Sequence, residues 1–135
     1  MCSSDLLLEK YPVILPQIAS TKGKNKTFGS AVQIVGRDPD GAFVEYPGII
    51  ANVPVLESKA IGSGTTNTLP EIDGVNRRIP MIVSVGDKVY PSISLETMRV
   101  VAGDSTFQVK LNELGVEKMR IPQFGPVTTD SLGRV

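Results

Sequence analysis

The chain has 135 residues, enough for one domain with a modest core and too few for two. It is 41% hydrophobic and 21% charged, as globular chains are, and its 14 basic and 14 acidic residues cancel, so no net field steers it toward nucleic acid or anionic lipid. With no His and a single Cys, Cys2, it lacks the means for zinc clusters, Cys–His dyads, Ser–His–Asp triads and an internal disulfide.

No signal peptide is evident, and no apolar run approaches the ~20 residues of a membrane helix; Leu6-Leu7-Leu8 is too short for either. Residues 1–6, MCSSDL, read as an adapter-derived or disordered leader, and residues 7–135 as a single, partial domain. Pro12 to Ile18 is a short apolar run bounded by prolines, which predicts a buried strand. Lys22, Lys24 and Lys26 stand in a polar stretch without aromatics spaced to stack bases, and a solvated loop is the expectation there. Gly29 to Val35 alternates as a strand. Arg37-Asp38-Pro39-Asp40-Gly41 has turn chemistry and lacks the spaced oxygen ligands and terminal Glu of a calcium loop.

The apolar stretch from Phe43 to Leu56 is broken by Pro47, Gly48 and Pro54; from Ile49 it predicts a loop with a short helix, Val55 to Ala60. Gly62-Ser63-Gly64 could cradle a phosphate, but no Lys-Ser/Thr pair or helix start follows. It reads better as a glycine-bearing strand paired with the strand Ile79–Val85, the two joined by a loop from Leu69 to Ile72.

Residues 72–103 organise the rest. Asp73-Gly74 supplies the positive φ of a tight turn. In the strand Ile79–Val85, Ile79, Met81, Val83 and Val85 share one face. Gly86-Asp87 turns the chain back into Lys88–Tyr90. Pro91-Ser92 then opens a helix with Ser92 as N-cap, Glu96 near its positive end, Leu95, Met98 and Ala102 on one stripe, and Gly103 as the left-handed stop. Beyond it, Phe107–Leu111 alternates as a half-exposed strand, Met119–Pro122 is a short strand, and Thr128 to Gly133 closes in a turn.

The order Asp73, Gly74, Arg77, Arg78, Pro80, an apolar strand, a Gly turn, then Tyr90, Pro91, Ser92 and an apolar helix resembles the signature of the type-two CHASE domain. The likeness extends more loosely to Pro12–Ile18 and to Asp130–Arg134. It implies an α/β domain with a mixed sheet, antiparallel hairpins and flanking helices, of which an upstream part lies outside these residues. It further implies an extracytoplasmic sensing module, periplasmic or extracellular, of a bacterial inner-membrane receptor. Membrane helices and a cytosolic nucleotide cyclase or histidine kinase domain would belong to the same full-length protein, with a homodimer possible. A small-molecule or physical stimulus would shift the domain between two arrangements.

Asp73, Arg77 and Arg78 form the one dense charged constellation with a recognisable frame. Two arginines can hold a small anion or a peptide carboxylate; alternatively an Asp–Arg pair braces the turn, and that reading is preferred. Neither supplies a nucleophile or a carboxylate pair for acid–base work, so no turnover, cofactor or metal is expected of these residues. The alternative function is a small intracellular module that contacts nucleic acid through Lys22, Lys24 and Lys26; under the preferred reading no nucleic acid is bound. A hydrolase fragment is disfavoured by the missing His.

Overall fold

The computed structural model describes residues 3–22, 32–36, 38, 40–103, 106–121 and 123–135. In chain order they form α1 (Ser3–Lys10), β1 (Ile14–Ser20), β2 (Val32–Gly36), β3 (Val44–Tyr46), β4 (Gly48–Ile50), α2 (Pro54–Lys59), β5 (Gly62–Thr65), β6 (Ile82–Val85), β7 (Lys88–Pro91), α3 (Ile93–Val101), β8 (Phe107–Asn112), β9 (Gly115–Ile121) and β10 (Gly125–Val127). The strands lie in three sheets, ordered β4–β1–β5, β3–β6–β7 and β10–β9–β8–β2, and each sheet combines parallel with antiparallel pairing. The α/β class and the mixed pairing are as expected; the mixture is spread over three small sheets. α1 begins inside the stretch read as a leader.

β6 sits at the centre. Its four residues, Ile82, Val83, Ser84 and Val85, are all buried, as in a strand covered on both faces. The two-residue period divides its apolar side chains between two cores. Ile82 joins Phe43, Leu95, Phe107, Val109, Leu111, Met119 and Ile121, while Val83 and Val85 join Ala19, Ile49 and Tyr90.

This corrects the longer strand expected from Ile79. Ile79 is half exposed, and Met81 belongs to the larger core, apart from Val83 and Val85. The cause is a competing partner. Ile79 and Val135 exchange backbone hydrogen bonds of 2.7 and 3.0 Å, and the Met81 N–H reaches the Gly133 carbonyl at 3.0 Å. Residues 79–81 are thus taken up by the C-terminal segment and do not continue β6.

The expected pairing of residues 62–64 with this strand is also corrected. β5 runs parallel to β1, from Ile14 opposite Gly62 to Gln17 opposite Thr65, whereas β6 takes β3 in parallel and β7 in antiparallel register. The two glycines make room for α3. A Cβ on Gly62 would overlap the Glu96 carboxylate, and one on Gly64 would overlap the Ile93 backbone. Small residues here serve the close approach of a helix.

β1 differs from the buried strand expected at residues 12–18. It is shifted toward Ser20 and alternates, with Gln17 and Ala19 buried and Ile18 51% exposed. Pro16 lies inside it without an N–H, and pairing with β4 starts only at Ile18. The short helix expected at 55–60 is α2, displaced by one residue, with Pro54 in its first turn. β3 and β4, three residues each, lie on either side of Pro47 in the broken apolar stretch, and β4 runs into the loop expected from Ile49. The alternation expected at 107–111 is borne out in β8, while β9 reaches back to Gly115, well before the strand expected at Met119.

Gly64→Ala should lower stability by about 1–3 kcal/mol, because its Cβ meets helix backbone that must move as a unit. Ser94→Ala, on the exposed side of α3, should stay within about 0.5 kcal/mol. Urea unfolding measures both, and equal midpoints would show that α3 is not held closely against β5.

Candidate functional site

Local chemistry shapes the charged turn. Gly74 has φ +79°, its N–H donates to the Glu71 carbonyl at 2.8 Å, and Asp73 Oδ1 accepts the Val75 N–H at 3.1 Å. The other carboxylate oxygen, Oδ2, lies 2.6 Å from a guanidinium nitrogen of Arg77. The Arg77 hydrogen bond, followed by the Val75 N–H, holds the Asp73 carboxyl below its ordinary value. Both side chains are about half exposed, so water screens the pair.

Arg78 points elsewhere. Its Nε is 3.7 Å from Glu71 Oε1, and its terminal nitrogen is 3.6 Å from Asp130 Oδ2. Both distances exceed a good hydrogen bond, and Glu71 Oε1 is a buried atom without a hydrogen-bond partner. The contact is coulombic. It nevertheless ties the turn to the C-terminal segment.

That segment is built on Asp130. Its Oδ1 accepts the N–H groups of Leu132 (3.0 Å) and Arg134 (2.9 Å), and its Oδ2 accepts Arg134 Nε at 2.7 Å. Burial alone would raise the Asp130 pKa; the Arg134 N–H, the Arg134 guanidinium and the Leu132 N–H together outweigh it and leave the carboxyl below its ordinary value. The closed loop presents residues 133–135 to Ile79 and Met81, with a bridge between Pro80 and Arg134.

The remaining residues of the motif are buried. Pro80 and Pro91 are almost wholly enclosed, and Tyr90 is 3% exposed within the smaller core. Burial, then the carboxylates of Asp87 and Glu57, raises the Tyr90 pKa. The Pro91 carbonyl accepts Thr65 Oγ1 at 3.2 Å. Ser92 is the N-cap expected of it, its Oγ accepting the Leu95 N–H at 3.2 Å, and its own N–H donates to the Met81 carbonyl at 2.7 Å. Gly103, at φ +84°, follows the C-cap Ala102 as expected.

The sequence motif therefore resolves into two groups. Asp73, Gly74, Arg77 and Arg78 are exposed; Pro80, Tyr90, Pro91 and Ser92 are buried scaffold. Three partly buried residues adjoin the exposed group: Glu71, Asp130 and Arg134. Asp130 and Arg134 lie four residues apart in a turn and not in a helix, so their contact, like the reach of Arg78 to both carboxylates, depends on folding. Three carboxylates face three guanidinium groups, so the arginines have little uncompensated charge for an anion.

A second pair lies beneath α3. Glu96 and Arg99 are 5% and 8% exposed and joined by two hydrogen bonds, 2.9 and 2.6 Å, against Gly62. Among the described residues no group of three or more acidic, His or Cys side chains is placed to hold a metal ion. The turn at Asp40-Gly41 is as expected, with Gly41 at φ +74° and its N–H on Glu45 Oε1 at 2.9 Å; Arg37 and Pro39 lie outside the described residues. Lys22 is exposed, and Lys24 and Lys26 also lie outside the described residues. No helix among the described residues is long and apolar enough to cross a membrane. Compared with known proteins, the chain matches no family model, no curated protein and no solved structure.

Asp130→Asn should cost about 1–3 kcal/mol at neutral pH, since an ionised acceptor with three donors is lost. The Asp130 pKa is lowered on folding, so its contribution is present above the ordinary carboxylate value of 3.8 and disappears as pH falls through the folded value. Urea midpoints of wild type and variant should converge in that acidic window; a gap that persists there would mean that the carboxylate charge is not what closes the segment.

Proposed function

We propose that the chain is an extracytoplasmic stimulus-sensing module of a bacterial membrane-bound receptor, in which the charged turn is coupled to the start of α3. The residues that resemble the type-two CHASE signature support this reading. One structural observation carries the coupling. The backbone of Met81 joins two parts, donating its N–H to Gly133 of the C-terminal segment and accepting the N–H of Ser92, the cap of α3. C-terminal segment and helix cap thus meet at one residue, three positions after Arg78, in a packed setting that transmits displacement and does not absorb it.

On this reading the stimulus acts by redistributing an existing charge balance. Asp73, Arg77 and Arg78 are exposed and can exchange partners at small cost, whereas Pro80, Tyr90, Pro91 and Ser92 form the rigid frame that moves with them. The output, a nucleotide cyclase or histidine kinase, resides in another part of the receptor, and no turnover is assigned to this chain.

Asp73→Asn in the full-length receptor should change basal cyclase or kinase output in membranes at least about twofold, a modest population shift. Lys22→Gln, on an exposed residue away from the turn, should leave it unaltered. Output is normalised to receptor level. Unchanged output from both variants would make the turn a scaffold, and a gene encoding neither membrane segments nor an output domain would overturn the receptor reading itself.

A further inference from the structure

The outer face of the sheet β10–β9–β8–β2 enters neither core. Register sets its side chains in two rows, with Gln33, Gln108, Arg120 and Pro126 in one and Val35, Lys110 and Lys118 in the next. All seven residues are exposed, while the opposite face delivers Phe107, Val109, Leu111, Met119 and Ile121 to the larger core. In a chain of zero formal charge, one face has collected Lys110, Lys118 and Arg120. The irregularity at Lys110/Leu111 brings in a single carboxylate, Glu117, 3.0 Å from Lys110. Strand β9 is also bracketed by exposed apolar side chains in its two turns, Leu114 at 85% and Phe124 at 52%.

We infer that this face is a docking surface for an anionic lipid bilayer; the inference rests on the receptor reading for the presence of a bilayer beside the domain. Lys110 and Lys118 stand directly opposite each other, with Glu117 held on Lys110, so the face carries three cations against one carboxylate. The open sheet face presents its cations side by side to a planar partner. Nucleic acid fits less well, because none of the seven residues is aromatic and single strands bind through stacking platforms. Each cation held near an anionic leaflet contributes about fivefold to partitioning, and apolar and aromatic side chains at the border favour the headgroup region. Such a contribution is weak for a free protein and sufficient for a tethered one, whose local concentration at the bilayer is already high.

The test is flotation of the chain with vesicles of phosphatidylcholine alone or mixed with phosphatidylglycerol, at low and high salt and with lipid in large enough excess to register the weak partitioning of an untethered protein. Binding should require phosphatidylglycerol and weaken with salt. Lys118→Gln combined with Arg120→Gln should reduce partitioning about 25-fold, with Lys22→Gln unchanged; both sites are exposed, and an unaltered urea midpoint shows that the fold is retained. Equal binding to both vesicle types, binding to neither, or preference for a DNA duplex at the same salt would overturn the inference. Vesicle binding involves no signalling output. Its loss beside a preserved Asp73→Asn response sinks this inference alone, whereas vesicle binding beside an unchanged Asp73→Asn output sinks only the coupling assigned to the turn.

Discussion

Burial of β6 on both faces is the constraint on which the rest depends. Ile82 faces one core and Val83 and Val85 the other, so neither core closes without this strand. Full burial of such side chains contributes on the order of 1.5–3 kcal/mol each, which makes these three apolar residues a large fraction of a marginal stability. β3 and β7 flank the strand and supply its backbone partners. At one end it leaves toward the C-terminal segment and the charged turn, and at the other it reverses through Gly86-Asp87 into the approach to α3. Turn and helix cap thus hang from a common support.

The charged groups divide by environment. Around the turn, Asp73, Arg77 and Arg78 are about half exposed and their ion pairs individually contribute little, so they can rearrange, whereas Asp130 holds its own loop closed. Beneath α3, Glu96 and Arg99 are enclosed, and removing either would leave a buried charge without its partner. The first set suits adjustment. The second lies between the helix and β5, where the absence of a side chain at Gly62 leaves space for the Glu96 carboxylate.

What could be read from the chain depended on how local its causes are. The turns at Asp73-Gly74 and Gly86-Asp87, the Ser92 cap and the Gly103 stop rest on residues within a few positions of each other, and they were legible. So was β8, whose alternation reflects one buried and one solvated face. The partner of β5 was not, since a glycine-bearing strand carries no mark of whether a helix or another strand will lie against it. The division of Met81 from Val83 was hidden for a similar reason: residues 133–135, far along the chain, compete for the backbone of Ile79 and Met81. β3 and β4 are too short to show a period. In the candidate site, the bracing Asp–Arg pair of the turn was legible, whereas the role of Asp130 as an acceptor for Leu132 and Arg134, with Arg78 nearby, required the folded loop.

Parallel pairing has a further consequence, in the order of events during folding. Each of the three sheets is closed by a parallel pair, β1 with β5, β3 with β6 and β2 with β8, and the members of each pair are dozens of residues apart. Loop closure must be accomplished before such contacts return any stability, so topologies of this kind fold slowly. β6, β7 and α3 are contiguous and can associate early. β2, by contrast, waits for β8, and on the ribosome its pairing edge stays open until most of the chain has emerged.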